Sequence, residues 1–151
     1  MRITAKADYA VRATIGLASS GEGPVKAERI ATEQGIPLNF LENILGQLRA
    51  AGLVASQRGP EGGYWLARPA AEISVADVIR AVEGPLASVR GTRPESLAYG
   101  GSANALQDVW IALRANIRAV LERVTLADVA AGSLPEDVRA LAADRDSWST
   151  R

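Results

Sequence analysis

The apolar positions of the first fifty residues recur at helical spacing. Ala7, Ala10, Val11, Thr14, Leu17 and Ala18 form one stripe behind Thr4, a suitable N-cap, and predict a helix over 4–19. Gly21-Glu22-Gly23-Pro24 is a turn, and a short second helix is expected over 25–34 with Ile30 and Ala31 inward. Gly35 suits a left-handed helix end, and Ile36-Pro37 imposes an extended step. A third helix over 38–51 places Leu41, Ile44, Leu45 and Leu48 on one face and stops at Gly52. The period then changes to two. Val54, Ser56 and Arg58 alternate with Ala55 and Gln57, Gly59-Pro60-Glu61-Gly62-Gly63 is a tight turn, and Tyr64-Trp65-Leu66-Ala67 resumes the extended pattern, which predicts a β-hairpin.

Helix returns at the capping box Ser74-Val75-Ala76-Asp77, with Ile73 placed to staple onto Val78, and ends at Gly84-Pro85. Residues 85–101 look structureless, and loops of that length are usually functional or disordered. A long helix is expected over 103–124, a rod of roughly 33 Å at about 1.5 Å per residue. A second capping box, Thr125-Leu126-Ala127-Asp128, opens a short helix, Pro135 opens a last one ending near Ala143, and the final eight residues are a polar tail with Trp148. The fold class is mainly α: a winged helix-turn-helix with a small β-hairpin wing over 1–84, a regulatory or linker loop over 85–101, a dimerisation helix with a following short helix over 102–131, and a tail over 132–151.

Composition narrows the chemistry. The chain has no cysteine and no histidine, which excludes disulfides, thiol nucleophiles, Ser-His-Asp triads, thiolate-held clusters and the usual zinc sites. Gly59 to Gly63 lacks the spacing of a phosphate-binding loop, and no nucleophile–base pair is present, so an enzyme is not expected. Net charge is zero, yet residues 1–68 hold eight basic and six acidic side chains against nine and eleven in residues 69–151. Fifteen of the basic residues are arginine, the side chain suited to bidentate contacts with phosphate and base edges. The N-terminus lacks the apolar core of a signal peptide and no run approaches membrane-spanning length, which suggests a cytoplasmic chain.

With the apolar stripe of the third helix turned inward, Asn39, Asn43, Gly46 and Ala50 point away from it, flanked by Glu42 and Gln47. Amides match the N6 and N7 edge of adenine, a carboxylate accepts from cytosine N4, and small residues permit close approach, so this face suits a major groove. A plain solvated face is the alternative. Arg58, Gly59 and Gly62 in the wing suit a phosphate or a minor groove, and Arg2 near the first helix suits a phosphate. Lys6 reads as simply solvated.

Several of these segments together resemble the Rrf2 family of bacterial winged-helix regulators. They are Met1-Arg2-Ile3-Thr4, Ala7-Asp8-Tyr9-Ala10-Val11-Arg12, Phe40-Leu41-Glu42-Asn43-Ile44-Leu45, Ser56-Gln57-Arg58-Gly59-Pro60-Glu61-Gly62-Gly63-Tyr64 and the 78–84 helix. The resemblance covers about residues 1–131. It implies a two-fold homodimer bound to double-stranded DNA, base-reading residues at Asn39, Glu42 and Asn43, and a wing arginine at Arg58. Many members hold an iron–sulfur cluster through three cysteines in the segment matching 85–101; this chain has none there, so no cofactor is expected. Asp8, where one branch supplies a further ligand, is expected to be a structural or intersubunit hydrogen-bonding residue.

Leu106, Trp110, Leu113, Ile117, Val120 and Val124 follow the 4, 3 spacing of a heptad seam, which predicts helix–helix self-association. A dimer built there presents two recognition helices to a palindromic site. The expected function is a sequence-specific transcriptional regulator, most often a repressor; the alternative is a winged-helix module that docks a partner protein. Arg90, Arg93, Glu95 and Tyr99 make 85–101 a candidate effector loop for an anionic small ligand or a protein, against the alternative of a solvated linker whose arginines pair with neighbouring carboxylates.

Overall fold

The computed structural model describes residues 1–150. Helix α1 (Ala5–Ser19) starts where Thr4 Oγ1 accepts the N–H of Ala7. It buries Ala7, Ala10, Ala13 and Leu17, and Thr14, the one buried polar side chain among the described residues, donates its hydroxyl back to the Ala10 and Val11 carbonyls, which lets its methyl join the core. Helices α2 (Ala27–Gln34) and α3 (Leu38–Ala50) follow. Between them Gly35 sits at φ 63, ψ 41, the left-handed conformation expected of it, and buried Ile36 fixes the turn from below. Leu41, Ile44, Leu45 and Leu48 are all buried on the inner face of α3.

Strands β1 (Val54–Gln57) and β2 (Gly63–Leu66) pair antiparallel, Val54 opposite Leu66 and Gln57 opposite Gly63. The second helix begins two residues later than its pattern suggests. Val25 instead makes an isolated bridge to Tyr64, exchanging two backbone hydrogen bonds of 2.8 Å. That third strand fragment supplies partners for the outer edge of β2, which a hairpin alone would leave bare.

Helix α4 (Val75–Glu83) opens with the expected capping box, Ser74 and Asp77 bonding each other's backbone N–H at 3.0 Å. Helix α5 (Leu106–Leu121) is shorter than its heptad pattern, 16 residues, giving a rod of about 24 Å. Residues 101–103 form a separate short 3-10 turn. At the other end Val124 leaves the helix: it is 6% exposed and its carbonyl accepts the N–H of Val75 at 2.9 Å. The expected place of Val124 on the seam is therefore corrected; it belongs to the head's own core. The second capping box, Thr125 with Asp128, starts α6 (Leu126–Ala131), and a bridge between Ser74 and Thr125 sets the two capped helix starts side by side. Leu126 is fully buried in the same core as α1 and α3, so α6 packs with the head even though the sequence pattern groups it with the rod. Helix α7 (Glu136–Ala143) and a 3-10 turn at 145–148 complete the described chain, with Trp148 78% exposed and its indole N–H donated to the Ala142 carbonyl.

Residues 85–101 are not structureless. Val89 and Thr92 exchange backbone hydrogen bonds of 2.9 Å, residues 94–96 form a 3-10 turn, and Leu86, Pro94 and Leu97 are buried. Gln107 of α5 donates its amide to the carbonyls of Pro94, Glu95 and Leu97, so the loop is tied to the rod by a side chain that the seam pattern leaves aside.

Candidate nucleic-acid interface

The geometry of the interface begins with the turn before α3. The Arg12 guanidinium lies 5.0 Å from the Tyr9 ring centroid, pairs with Asp8 at 2.9 Å and donates to the Gln34 carbonyl, the last of α2. One arginine thereby ties α1 to the end of α2 and holds the helix-turn-helix angle. Asp8 thus pairs with Arg12 within its own chain.

On α3 the inward leucines leave Asn39, Glu42 and Asn43 exposed. Among the described residues none of these three side chains has an intramolecular hydrogen bond or ion pair, so their donors and acceptors face outward unengaged. Gly46 has nothing within 4 Å of where a Cβ would stand, so its helix-weakening presence has no packing cause inside the chain. Phe40, outside the amide and carboxylate set that the wheel marks, is 58% exposed on this helix between Asn39 and Leu41. The signal was present: position 40 lies off the 41/44/45/48 stripe, so its ring has no place in the core. Apolar side chains on a reading face contact thymine methyl groups.

The wing is bolted to the head from two sides. Lys26 Nζ donates to the Gly59 carbonyl at 2.8 Å, and Arg49 of α3 donates to Ser56 Oγ of β1 at 3.0 Å. These two residues, which no local pattern marks, fix the wing relative to the recognition helix. Arg58 is exposed with no partner among the described residues, and Gly59 is exposed at φ 103. Gly62 differs. It is buried, its N–H goes to the Gly59 carbonyl at 3.0 Å, and a Cβ there would stand 2.0 Å from the Gln57 carbonyl oxygen. Its glycine is required by the turn itself, which corrects the expectation that its backbone is open to a phosphate. Arg2 is exposed, but it lines a groove with Glu83, Ile117 and Val120, on the α4–α5 side of the molecule.

None of the 16 residues of α5 is buried. Leu106, Trp110, Leu113, Ile117 and Val120 are half-buried, and Val109 is 53% exposed. Ile117 and Leu121 lean on a small cluster of Ala7, Ala76, Ile79 and Leu86, which roots the helix on the head while its remaining apolar surface stays open. The four residues of the candidate effector loop separate. The Tyr99 hydroxyl accepts from the Trp110 indole at 3.1 Å, Glu95 pairs with Arg114, Arg93 faces a cleft between loop and rod, and Arg90 sits exposed in the 89–92 turn at φ 53. Among the described residues the ion pair that ties the loop joins its carboxylate to an arginine of the rod, Glu95 with Arg114. Glu95 is held below the usual carboxylate range by its own backbone N–H, then by Arg114 and Arg93; Glu122 is held low by Arg80 and Arg118.

Residues 3–132 match the family described as Rrf2, iron-dependent transcriptional regulator. The chain is 57% identical over its whole length to the Mycobacterium tuberculosis protein Rv1287, covering 95% of that protein, whose name classes it among HTH-type transcriptional regulators. It is 40% identical to the HTH-type transcriptional regulator IscR of Serratia proteamaculans, covering all of this chain and 90% of that one. Among solved structures, the global cysteine regulator CymR of B. subtilis superposes with a TM-score of 0.74 at 34% identity, over 88% of this chain and 98% of that chain. The IscR of T. potens superposes at 0.68 and 34% identity, over 100% and 94%.

The iron in the family's description finds no fitting donors here. The chain has neither the thiolates nor the imidazoles that hold iron or its clusters, and among the described residues no group of three or more carboxylates is arranged to hold a metal. Among the described residues no helix is long and apolar enough to cross a membrane. A partner-docking module that does not read DNA and an enzyme are both set aside by these relatives, and the chain belongs to the Rrf2 family of winged-helix, DNA-binding transcriptional regulators.

Proposed function

We propose that this regulator is a cytoplasmic repressor that binds a palindromic operator as a homodimer, α5 of one copy packing along α5 of the other. The observation that carries the reading is the open apolar face of α5: a 16-residue helix with no buried residue, bearing Leu106, Trp110, Leu113, Ile117 and Val120 at heptad spacing. A second copy of the same face satisfies that spacing, and the two-fold axis then places two α3 helices about one DNA turn apart. Asn39, Glu42 and Asn43 read bases in the major groove, Phe40 meets apolar base edges, and Arg58 enters the minor groove. Gly59 keeps the wing tip narrow enough for that approach.

Sedimentation of the full chain, with and without a palindromic duplex selected from a random pool, tests the reading. One dimer per palindrome, with affinity falling steeply as salt rises, is expected. A monomer in solution that binds isolated half-sites as tightly as the palindrome overturns it.

A further inference from the structure

We propose that the cleft between the end of α4, the 84–95 segment and α5 is a binding site for a compact dianion, a phosphate group or a short dicarboxylate. Four guanidinium groups from three separate elements line this one concavity of about 470 Å³: Arg80 of α4, Arg93 of the loop, and Arg114 and Arg118 of α5. Two carboxylates accompany them. Glu95 pairs with Arg114, and Glu122 is shared between Arg80 and Arg118. Four positive charges against two leave a surplus of two, and Arg93 has no ion pair or side-chain hydrogen bond among the described residues.

Solvated arginines on a surface normally spread apart, because like charges held around one cavity repel. Here packing brings them together. Arg114 is the most covered of the four, with 22% of its side chain exposed, and Glu95 holds it toward the cleft wall. The shared Glu122 leaves the guanidiniums of Arg80 and Arg118 with N–H groups unmatched, since one carboxylate cannot satisfy two forks. Planar forks of this kind bind phosphate and carboxylate oxygens bidentately. The volume suits a small anion, and Pro85 and Leu86 close one side with apolar surface. Phosphates and dicarboxylates share the required chemistry: two charges within a few ångströms and oxygens on both sides.

The cleft joins the head, through Arg80, to the rod, through Arg114 and Arg118. A bound dianion therefore bridges the two parts whose relative placement sets the spacing of the recognition helices. That consequence rests on the proposed dimeric function; the binding itself does not, and the two are measured apart.

Calorimetric titration of the full chain, without DNA and at constant ionic strength, uses sulfate, inorganic phosphate, malonate and, as a monoanion, acetate. Saturable binding of one dianion per chain is expected, with acetate much weaker, and the preference between phosphate and malonate assigns the source. Arg93→Ala and Arg118→Ala should each weaken binding about tenfold, the loss of one charge-assisted contact, while Arg139→Ala on α7 leaves it unchanged. Absence of saturable binding at millimolar dianion overturns the site, as does equal weakening by Arg139→Ala, or acetate binding as tightly as malonate. Loss of duplex affinity in Arg93→Ala with no dianion binding assigns the cleft to the DNA backbone and also overturns the proposal. Operator affinity is then compared with and without the bound dianion, so a failure of the dimer reading leaves the binding result standing.

Discussion

The wing's attachment to the head includes one close backbone approach, beside the Lys26 and Arg49 hydrogen bonds, and a single methyl group tests it. A Cβ on Gly63 would stand 2.7 Å from the carbonyl carbon and oxygen of Val25 and 2.8 Å from its nitrogen. All three atoms are backbone, so no side chain can swing aside. Gly63→Ala must push the Val25 segment from β2, disturbing the two 2.8 Å hydrogen bonds between Val25 and Tyr64. Overpacking costs about 1–3 kcal/mol, and two weakened hydrogen bonds add roughly 0.5–1.5 kcal/mol each. Gly59→Ala is the matched control. It also lies at positive φ, +103, but has nothing within 4 Å, so it carries only a conformational penalty of about 1–2 kcal/mol. In urea unfolding Gly63→Ala should therefore lose at least about 2 kcal/mol more than Gly59→Ala, a further midpoint drop of about 1 M or more. Its operator affinity should fall in parallel, because a displaced wing no longer holds Arg58 beside α3. Equal midpoints for the two variants would show that the wing tolerates separation from Val25, and the account of its attachment would be wrong.

Leu113→Asp places a charge in the centre of the proposed dimer face, and sedimentation should show a folded monomer that has lost operator binding; a dimer of normal mass would refute the seam. Glu42→Ala and Asn43→Ala should change which bases are preferred in a randomised-duplex selection, by ~1–3 kcal/mol per lost bidentate contact, whereas Arg58→Ala should weaken all sequences and flatten the salt dependence. Ser74→Ala and Thr125→Ala each remove one capping acceptor and should cost about 0.5–2 kcal/mol in thermal or urea unfolding. Glu95 and Glu122 have folded pKa values below 4.5, so their contribution is present above that pH and is lost as pH falls through the lowered values. Acid titration followed by circular dichroism should therefore show Glu122→Gln destabilised at neutral pH and converging on the parent chain in acid; a constant difference at every pH would contradict the ion-pair assignment.

Short-range chemistry made much of this protein legible in its sequence. The capping boxes at Ser74 and Thr125, the left-handed Gly35 and the inward leucines of α3 depend on partners within about one helical turn, and each formed as its pattern indicates. The outward face of α3 followed from the same wheel, and the missing thiolate and imidazole ligands from composition. Tertiary packing decided matters that no local pattern contains. Val124 continues the heptad spacing in sequence, yet its carbonyl has a partner on Val75 and its side chain a place in the head, so the helix ends first. Val25 is as suited to a helix start as to a strand, and only the edge of β2 selects the strand. Gly62 and Gly63 look alike, but contacts with Gln57 and Val25 separate the turn's requirement from the attachment's. The four arginines of the cleft lie up to 38 positions apart in the chain, and no spacing rule brings them together. Their meeting depends on α4, the loop and α5 packing at one corner: periodicity says which face of an element is apolar, and only the folded chain says which other element covers it.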